Sequence, residues 1–177
     1  MTLQELTYRN AGLSDLPEIV RLVNSAYRGE SSRSGWTTEA DLLDGQRTDM
    51  NEVEKLISNP GSLILLAELQ GMLMGTVHLL HEGDAANIGM LVIRPDLQGR
   101  GYGKKLLETA EQTVIGDWGV SKLRMYVISL RTELMAFYRR RGYMQTGSFM
   151  PFPMDIRFGI PKTDGLRLAL LEKCIIL

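Results

Sequence analysis

The residues best suited to chemistry lie in one short run, Gln98-Gly-Arg-Gly-Tyr-Gly103, followed by Lys104 and Lys105. Glycines alternate at 99, 101 and 103, between an apolar stretch and the start of a helical one. Glycine tolerates positive φ and lets backbone approach a ligand with no Cβ in between. Unpaired N–H groups at a helix start, with the positive end of the helix dipole, favour a phosphate. Arg100, Lys104 and Lys105 add charge of the right sign. The spacing excludes three familiar phosphate loops. A Walker loop needs four residues between its glycines and Ser or Thr after the lysine; Gly99 and Gly103 enclose three, and Lys105 follows Lys104. The dinucleotide fingerprint wants glycine where this chain has Lys104. A kinase loop fails at the same place, and no His-Arg-Asp or Asp-Phe-Gly follows. On spacing alone, a glycine-rich turn that only caps a helix stays open.

The elements around the run follow from periodicity. Leu3–Arg9 reads as a short strand. Ser14 or Asp15 reads as the N-cap of a helix over Asp15–Tyr27, with Leu16, Ile19, Val20, Val23, Ala26 and Tyr27 at helical spacing. Polar Arg28–Asp49 is expected to hold a short helix near Thr38–Leu43, and Asp49–Ser58 a second amphipathic helix stopped by Asn59-Pro60-Gly61. Ser62–Leu69, Met72–His81 and Ala86–Ile93 are β-compatible runs separated by turn residues. A helix over Gly101–Ile115, a strand over Lys122–Ile128, a helix over Arg131–Arg141 capped by Gly142, and strands over Tyr143–Phe149 and Leu166–Ile176 complete the chain. The expected fold is α/β of the α+β kind, a mixed sheet covered by helices.

Composition narrows the class. The 177 residues suit one domain, 1–177, with 44% hydrophobic and 23% charged residues. A net charge of −1 argues against nucleic acid or an anionic membrane as main partner. The lone Cys174 suits a reducing compartment, no secretory signal is evident, and no stretch approaches the roughly 20 apolar residues that cross a bilayer. A cytoplasmic protein is expected.

The chain resembles the GNAT superfamily of N-acetyltransferases. That family's signature has Gln or Arg, two residues, Gly, one residue, then Gly or Ala, and Gln98-Gly-Arg-Gly101-Tyr-Gly103 matches it. Leu91-Val92-Ile93-Arg94-Pro95 resembles the strand and proline ahead of it, and Ala136-Phe137-Tyr138 through Gly142-Tyr143 a second motif. The resemblance implies a mainly antiparallel sheet of about seven strands, splayed in the middle and flanked by about four helices. It implies acetyl-CoA as co-substrate, with no metal. The pyrophosphate would sit on the N–H groups of Gln98, Gly99, Arg100, Gly101, Tyr102, Gly103 and Lys104, and the backbone of Leu91, Val92 and Ile93 would pair with pantetheine like an added strand. Arg131 stands where many relatives have an asparagine that contacts coenzyme A, and Arg139–Arg141 lie where a 3′-phosphate could be reached.

Acyl transfer from a thioester to an amine requires loss of a proton by the ammonium and gain of one by the departing thiolate. The resemblance makes Tyr138 the acid, and gives the N–H of Val92 or Ile93 an oxyanion role. Position 87, where many relatives carry a glutamate base, is Asn87. His78 and His81 fall on opposite strand faces, so one at most meets the cleft, and His81 is the expected base. A water chain ending at backbone carbonyls is the alternative. The acceptor would lie under Arg28–Arg47, where Trp36 either meets substrate or anchors the loop, and where Glu30, Glu39, Asp41 and Asp44 could bind a cationic amine. Met150–Met154 would form the opposite wall or a homodimer contact. The acceptor is expected to be a small-molecule or peptide amine. A coenzyme A sensor without turnover is the competing reading, and an unrelated nucleotide binder the third.

Overall fold

The computed structural model describes residues 5–176. Of the first expected strand, 3–4 lie outside the described residues, and the remainder forms β1 (Thr7–Asn10). Helix α1 (Leu16–Tyr27) carries Pro17 in its first turn, where a missing N–H costs nothing, and buries Ile19, Leu22, Val23, Ala26 and Tyr27. The helix expected near Thr38–Leu43 is absent. The segment instead makes a 3₁₀ turn at Glu30–Ser34 and then a two-residue strand β2 (Leu43–Asp44). Its Ser and Thr side chains bond locally: Ser32 Oγ lies 2.5 Å from Thr38 Oγ1 and donates to the Gly29 carbonyl at 2.7 Å, competing with a helix ladder. Helix α2 (Met50–Ser58) starts where the Asp49 side chain accepts from the Glu52 amide at 2.8 Å.

Strands β3 (Ser62–Leu69), β4 (Met72–Glu82) and β5 (Ala85–Ile93) form a meander. Helix α3 (Tyr102–Trp118), strand β6 (Lys122–Ile128), helix α4 (Thr132–Arg139), strands β7 (Met144–Pro151) and β8 (Ile160–Pro161), and strand β9 (Arg167–Cys174) follow. The main sheet has seven strands in the order β1-β3-β4-β5-β6-β9-β7, antiparallel except for β5 with β6. The β2–β8 ribbon, unforeseen in the sequence, ties the loop after α1 to the C-terminal region.

Period-two alternation sends the two faces of the sheet to different helices. Ile64, Leu66, Met90 and Val92 pack with α1 and α2, whereas Leu65, Ala67, Val77, Leu79 and Ile93 pack with α3 and α4. Because both faces are covered, β3 to β5 read as near-continuous apolar runs.

Two departures from a regular ladder open the middle of this sheet. Pairing of β5 with β6 covers only Ala85–Asn87 against Lys122–Arg124, after which the strands splay apart. On its other side β5 carries an extra residue opposite β4, between the Thr76–Val92 and His78–Gly89 pairs, and Met90 adopts φ +46° there. A bulge re-aims the backbone of the bulged strand, here at the edge of the gap.

Candidate active site

The turn after β5 has the geometry of an anion cradle. Gly99 and Gly101 take φ +76° and +87°, and Gly101 caps α3 in the left-handed region. None of the amides of Gly99–Lys104 donates a hydrogen bond to a group among the described residues; the first helical bond runs from the Lys105 amide to the Gly101 carbonyl at 3.2 Å. Six consecutive donors are therefore left open at the positive end of the α3 dipole. The Tyr102 ring is buried in the core, so only its backbone serves the turn, while Arg100 and Lys104 extend into solvent.

Gln98 differs from the expectation. Its amide already donates to the Pro95 carbonyl at 3.3 Å. Its side chain accepts from the Thr37 amide at 3.2 Å and donates to Thr37 Oγ1 at 2.8 Å and to the Ile93 carbonyl at 2.9 Å. Gln98 is thus a clasp between the turn and the loop after α1. Gly35 packs beside it: a Cβ there would fall 2.5 Å from Gln98 Oε1, so the Gln98 amide would have to shift.

A cavity of about 280 Å³ runs from this turn along the gap, walled by Trp36, Leu91, Ile93, Phe137, Tyr138 and Arg140. Strand alternation decides which backbone groups face it. The Arg94 amide donates to the Met74 carbonyl of β4 at 2.8 Å, so Val92, two residues earlier, also turns its N–H and C=O toward β4. Its side chain is buried against α1 and α2. The contribution expected of Val92 is therefore corrected: Leu91 and Ile93 turn away from β4, and with the Leu91 carbonyl accepting from the Tyr27 hydroxyl at 2.9 Å and the Ile93 carbonyl from Gln98, their N–H groups are what remains for the gap.

A second cavity, of about 400 Å³, opens on the other side of Tyr138, with Tyr27, Glu52, His78, Asn87, Arg131 and Phe152 among its walls. Leu91, Leu134 and Tyr138 wall both cavities. Tyr138 is 6% exposed, its hydroxyl has no hydrogen-bond partner among the described residues, and burial pushes its pKa well above that of an ordinary phenol. Of the segment Met150–Met154, offered as a wall or a homodimer contact, Phe152 and Pro153 line this cavity. Trp36 does not: it packs on Phe137 with ring centroids 5.5 Å apart, beside the turn-side cavity.

Several polar residues are placed differently from the expectation. His81 is outside both cavities, stacked on Trp118 at 5.2 Å with Nε2 3.1 Å from the Gly83 carbonyl, so it is no base for this cleft. His78 takes the cleft face instead. Ser62 donates its hydroxyl proton to the Leu56 carbonyl at 2.6 Å, so the 2.8 Å contact with Ser62 requires a proton on His78 Nε2 and leaves Nδ1 as acceptor. Burial, with the charge of Arg47 second, depresses the His78 pKa to about 4. Asn87 donates to Glu82, and its Oδ1 is buried without a partner.

Arg131 is withdrawn from cofactor contact by its partners. It donates to Glu39 Oε1 at 2.8 Å and to the Thr37 carbonyl at 2.5 Å, leaving its head group 9% exposed. Glu39 also accepts from Arg28, whose other nitrogen reaches the Phe158 carbonyl at 2.6 Å. The acidic residues offered for a cationic amine are likewise committed: Glu39 to two arginines, Glu30 and Asp41 to Arg33, and Asp44 to Lys162 at 3.2 Å. Sequence reasoning missed Tyr27, Arg28 and Glu52 as cavity walls. In sequence Tyr27 reads as part of the apolar face of α1, Arg28 as the first loop residue and Glu52 as a helix-surface carboxylate, and no local pattern marks them further.

The chain belongs to the acetyltransferase (GNAT) family, whose sequence model matches residues 17–143. Membership implies acyl transfer from acetyl-CoA. Among solved structures, it is similar to the ribosomal-protein-S18-alanine N-acetyltransferase of Escherichia coli, with 15% identity and a TM-score of 0.70 over 98% of this chain and 96% of that one. It is also similar to the PaiA N-acetyltransferase of Thermoplasma acidophilum in complex with coenzyme A, with 20% identity, TM-score 0.66 and coverage of 97% and 99%. A chimera of spermidine N-acetyltransferase SpeG from Vibrio cholerae and hSSAT gives 19%, 0.68, and 96% and 95%. These likenesses establish the fold: a mixed, mostly antiparallel seven-stranded sheet with four helices among the described residues. No described helix is long and apolar enough to cross a membrane.

Proposed function

We propose that this protein is an N-acetyltransferase that moves the acetyl group of acetyl-CoA directly to a primary amine. The observation that carries the proposal is the position of Tyr138, a protonated, unpartnered phenol between two cavities. One cavity ends at the free amides of Gly99–Lys104; the other would take the acceptor. The residues present fit the co-substrate, since six unsatisfied donors and the open space at Gly99 suit a pyrophosphate and the gap beyond Asn87 suits pantetheine.

Acetyl-CoA supplies an activated thioester. In our reading the turn holds its pyrophosphate, and the Ile93 N–H pairs with its pantetheine. The Leu91 N–H, beside Tyr138, lies where a thioester oxygen would develop charge. The amine attacks the carbonyl carbon, a C–N bond forms and the C–S bond breaks. The Tyr138 hydroxyl donates its proton to the departing sulfur. Proton loss from the ammonium needs no strong side-chain base: water in the acceptor cavity can take the proton and release it to solvent, with the neutral His78 Nδ1 as a hydrogen-bond acceptor for that water. Arg140, which walls the turn-side cavity, is the arginine of the 139–141 run best placed for the 3′-phosphate; the Arg141 head group lies on Phe137 at 3.5 Å and donates to its carbonyl.

The test is release of coenzyme A thiol over a panel of amines. Acetylation of at least one acceptor, with stoichiometric thiol, is expected. Tight acetyl-CoA binding without thiol release from any acceptor would favour the sensor reading, and stabilisation by ATP or NAD but not by coenzyme A would exclude both.

A further inference from the structure

One cation in the wall of the acceptor cavity has no direct partner among the described residues. Three arginines wall the cavity: Arg28, Arg47 and Arg131. Arg28 and Arg131 share Glu39, buried between them. Glu52, the remaining carboxylate of the wall, accepts from the Thr48 hydroxyl at 2.5 Å. The Arg47 guanidinium makes no hydrogen bond or ion pair with any described residue; it rests 6.0 Å from the Phe158 ring centroid. Its partial burial and the absence of a partner set it apart from a solvated surface arginine.

The backbone below it is held rigidly. Asn24 Oδ1, on α1, accepts from the amides of Arg47 at 2.7 Å and Thr48 at 3.0 Å, and Asn24 Nδ2 donates to the Thr48 carbonyl at 3.0 Å. Three bonds from one side chain thus anchor the stem of the arginine to the scaffold that also carries Tyr27. Arginine presents a planar fork of donors matched to carboxylate and phosphonate, and an unpaired one in a cavity wall is a receptor of that geometry.

We propose that Arg47 binds an anionic group of the acceptor, so that the substrate is an amine that also carries a carboxylate or similar oxyanion, of amino-acid to dipeptide size. This rests on the acetyltransferase reading above and adds the substrate class. The size follows from a cavity of about 400 Å³, at the small end of ligand sites. The same charge balance disfavours polyamines: two carboxylates against three guanidiniums leave the wall net positive, and Glu52, which makes no ion pair with a described residue, is the one carboxylate left for an ammonium.

The test compares L-amino acids with their own carboxamides, and with spermidine, as acceptors for the intact protein. A charge-assisted pair contributes about 1.5–3 kcal/mol, equivalent to roughly 10–150-fold. The acids are expected to exceed their amides in kcat/KM by that factor. In Arg47→Gln the preference should collapse through KM, with kcat and the Kd of acetyl-CoA held. Arg47→Lys should retain part of it, which separates charge recognition from a loss of packing. Amides or spermidine acetylated as efficiently as the acids, with the acetyltransferase intact, would overturn the Arg47 assignment alone. Acetyl-CoA bound with no acceptor turned over would overturn the proposed function and this assignment with it.

Discussion

Gln98 holds Thr37 by both ends of its side-chain amide, accepting from the Thr37 amide and donating to its hydroxyl. The glutamine that opens the phosphate turn therefore governs the position of the loop beside the cofactor cavity. Its two Nε2 hydrogens are spent on Thr37 and Ile93, so nothing in the side chain remains for a phosphate.

Gln98→Ala should accordingly weaken acetyl-CoA binding through the loop. Loss of these bonds, at about 0.5–1.5 kcal/mol each, is expected to raise the Kd about tenfold. Gly35→Ala should have a similar effect, because its Cβ would enter the space of the Gln98 amide. Titration calorimetry on both single variants and the double variant checks this: the two effects should be clearly less than additive. Full additivity would mean that the clasp is not the shared cause.

Tyr138→Phe should lower kcat about 10²-fold, the low end for a positioned acid, and leave the acetyl-CoA Kd nearly unchanged. Equal turnover by the two proteins would remove the acid role.

Gly101→Val should abolish cofactor binding while the protein stays folded. At φ +87° a β-branched residue is strained, and relief of that strain would move the amides of the turn. Circular dichroism checks the fold, and calorimetry the loss of binding.

Glu39→Gln would leave two arginines, Arg28 and Arg131, without their shared counter-charge. Breaking a buried ion network from one side costs about 3–5 kcal/mol, which urea denaturation would register. A change below 1 kcal/mol would show that water enters the network freely.

Stability should fall in mild acid partly through His78. The folded protein holds this pKa near 4, below the ordinary 6.5, so between those values the unfolded chain binds more protons. The contribution is complete above pH 6.5 and disappears as pH falls through 4. Urea melts of wild type and His78→Gln at pH 7 and pH 4.5 isolate it: the wild type should lose more stability than the variant, by about 2 kcal/mol.

The parts of this protein legible in sequence are those whose physics is local. The strands followed from alternation and turn residues, and most of their bounds agreed to within a residue or two, β3 and β6 matching their expected ranges; the mainly antiparallel, splayed arrangement was implied by the family resemblance alone. The phosphate turn was legible because glycine at 99 and 101 answers a backbone demand that no other residue meets cheaply, +76° and +87°. The loop after α1 was not legible as a helix or otherwise, since its Ser and Thr residues bond to each other and its acids to arginines distant in sequence.

Which side chains meet across the cleft was decided by tertiary structure alone. His78 and His81 are equivalent in sequence, yet the strand places one against Ser62 in the cavity and the other against Trp118 outside it. Arg131 was a candidate for contact with coenzyme A until folding brought Glu39 to it over 92 positions of sequence. The difference between Arg131 and Arg47 is likewise a matter of partners. The sequence states how many charges there are, but burial and proximity determine which are neutralised, and those depend on long-range packing that no local pattern encodes.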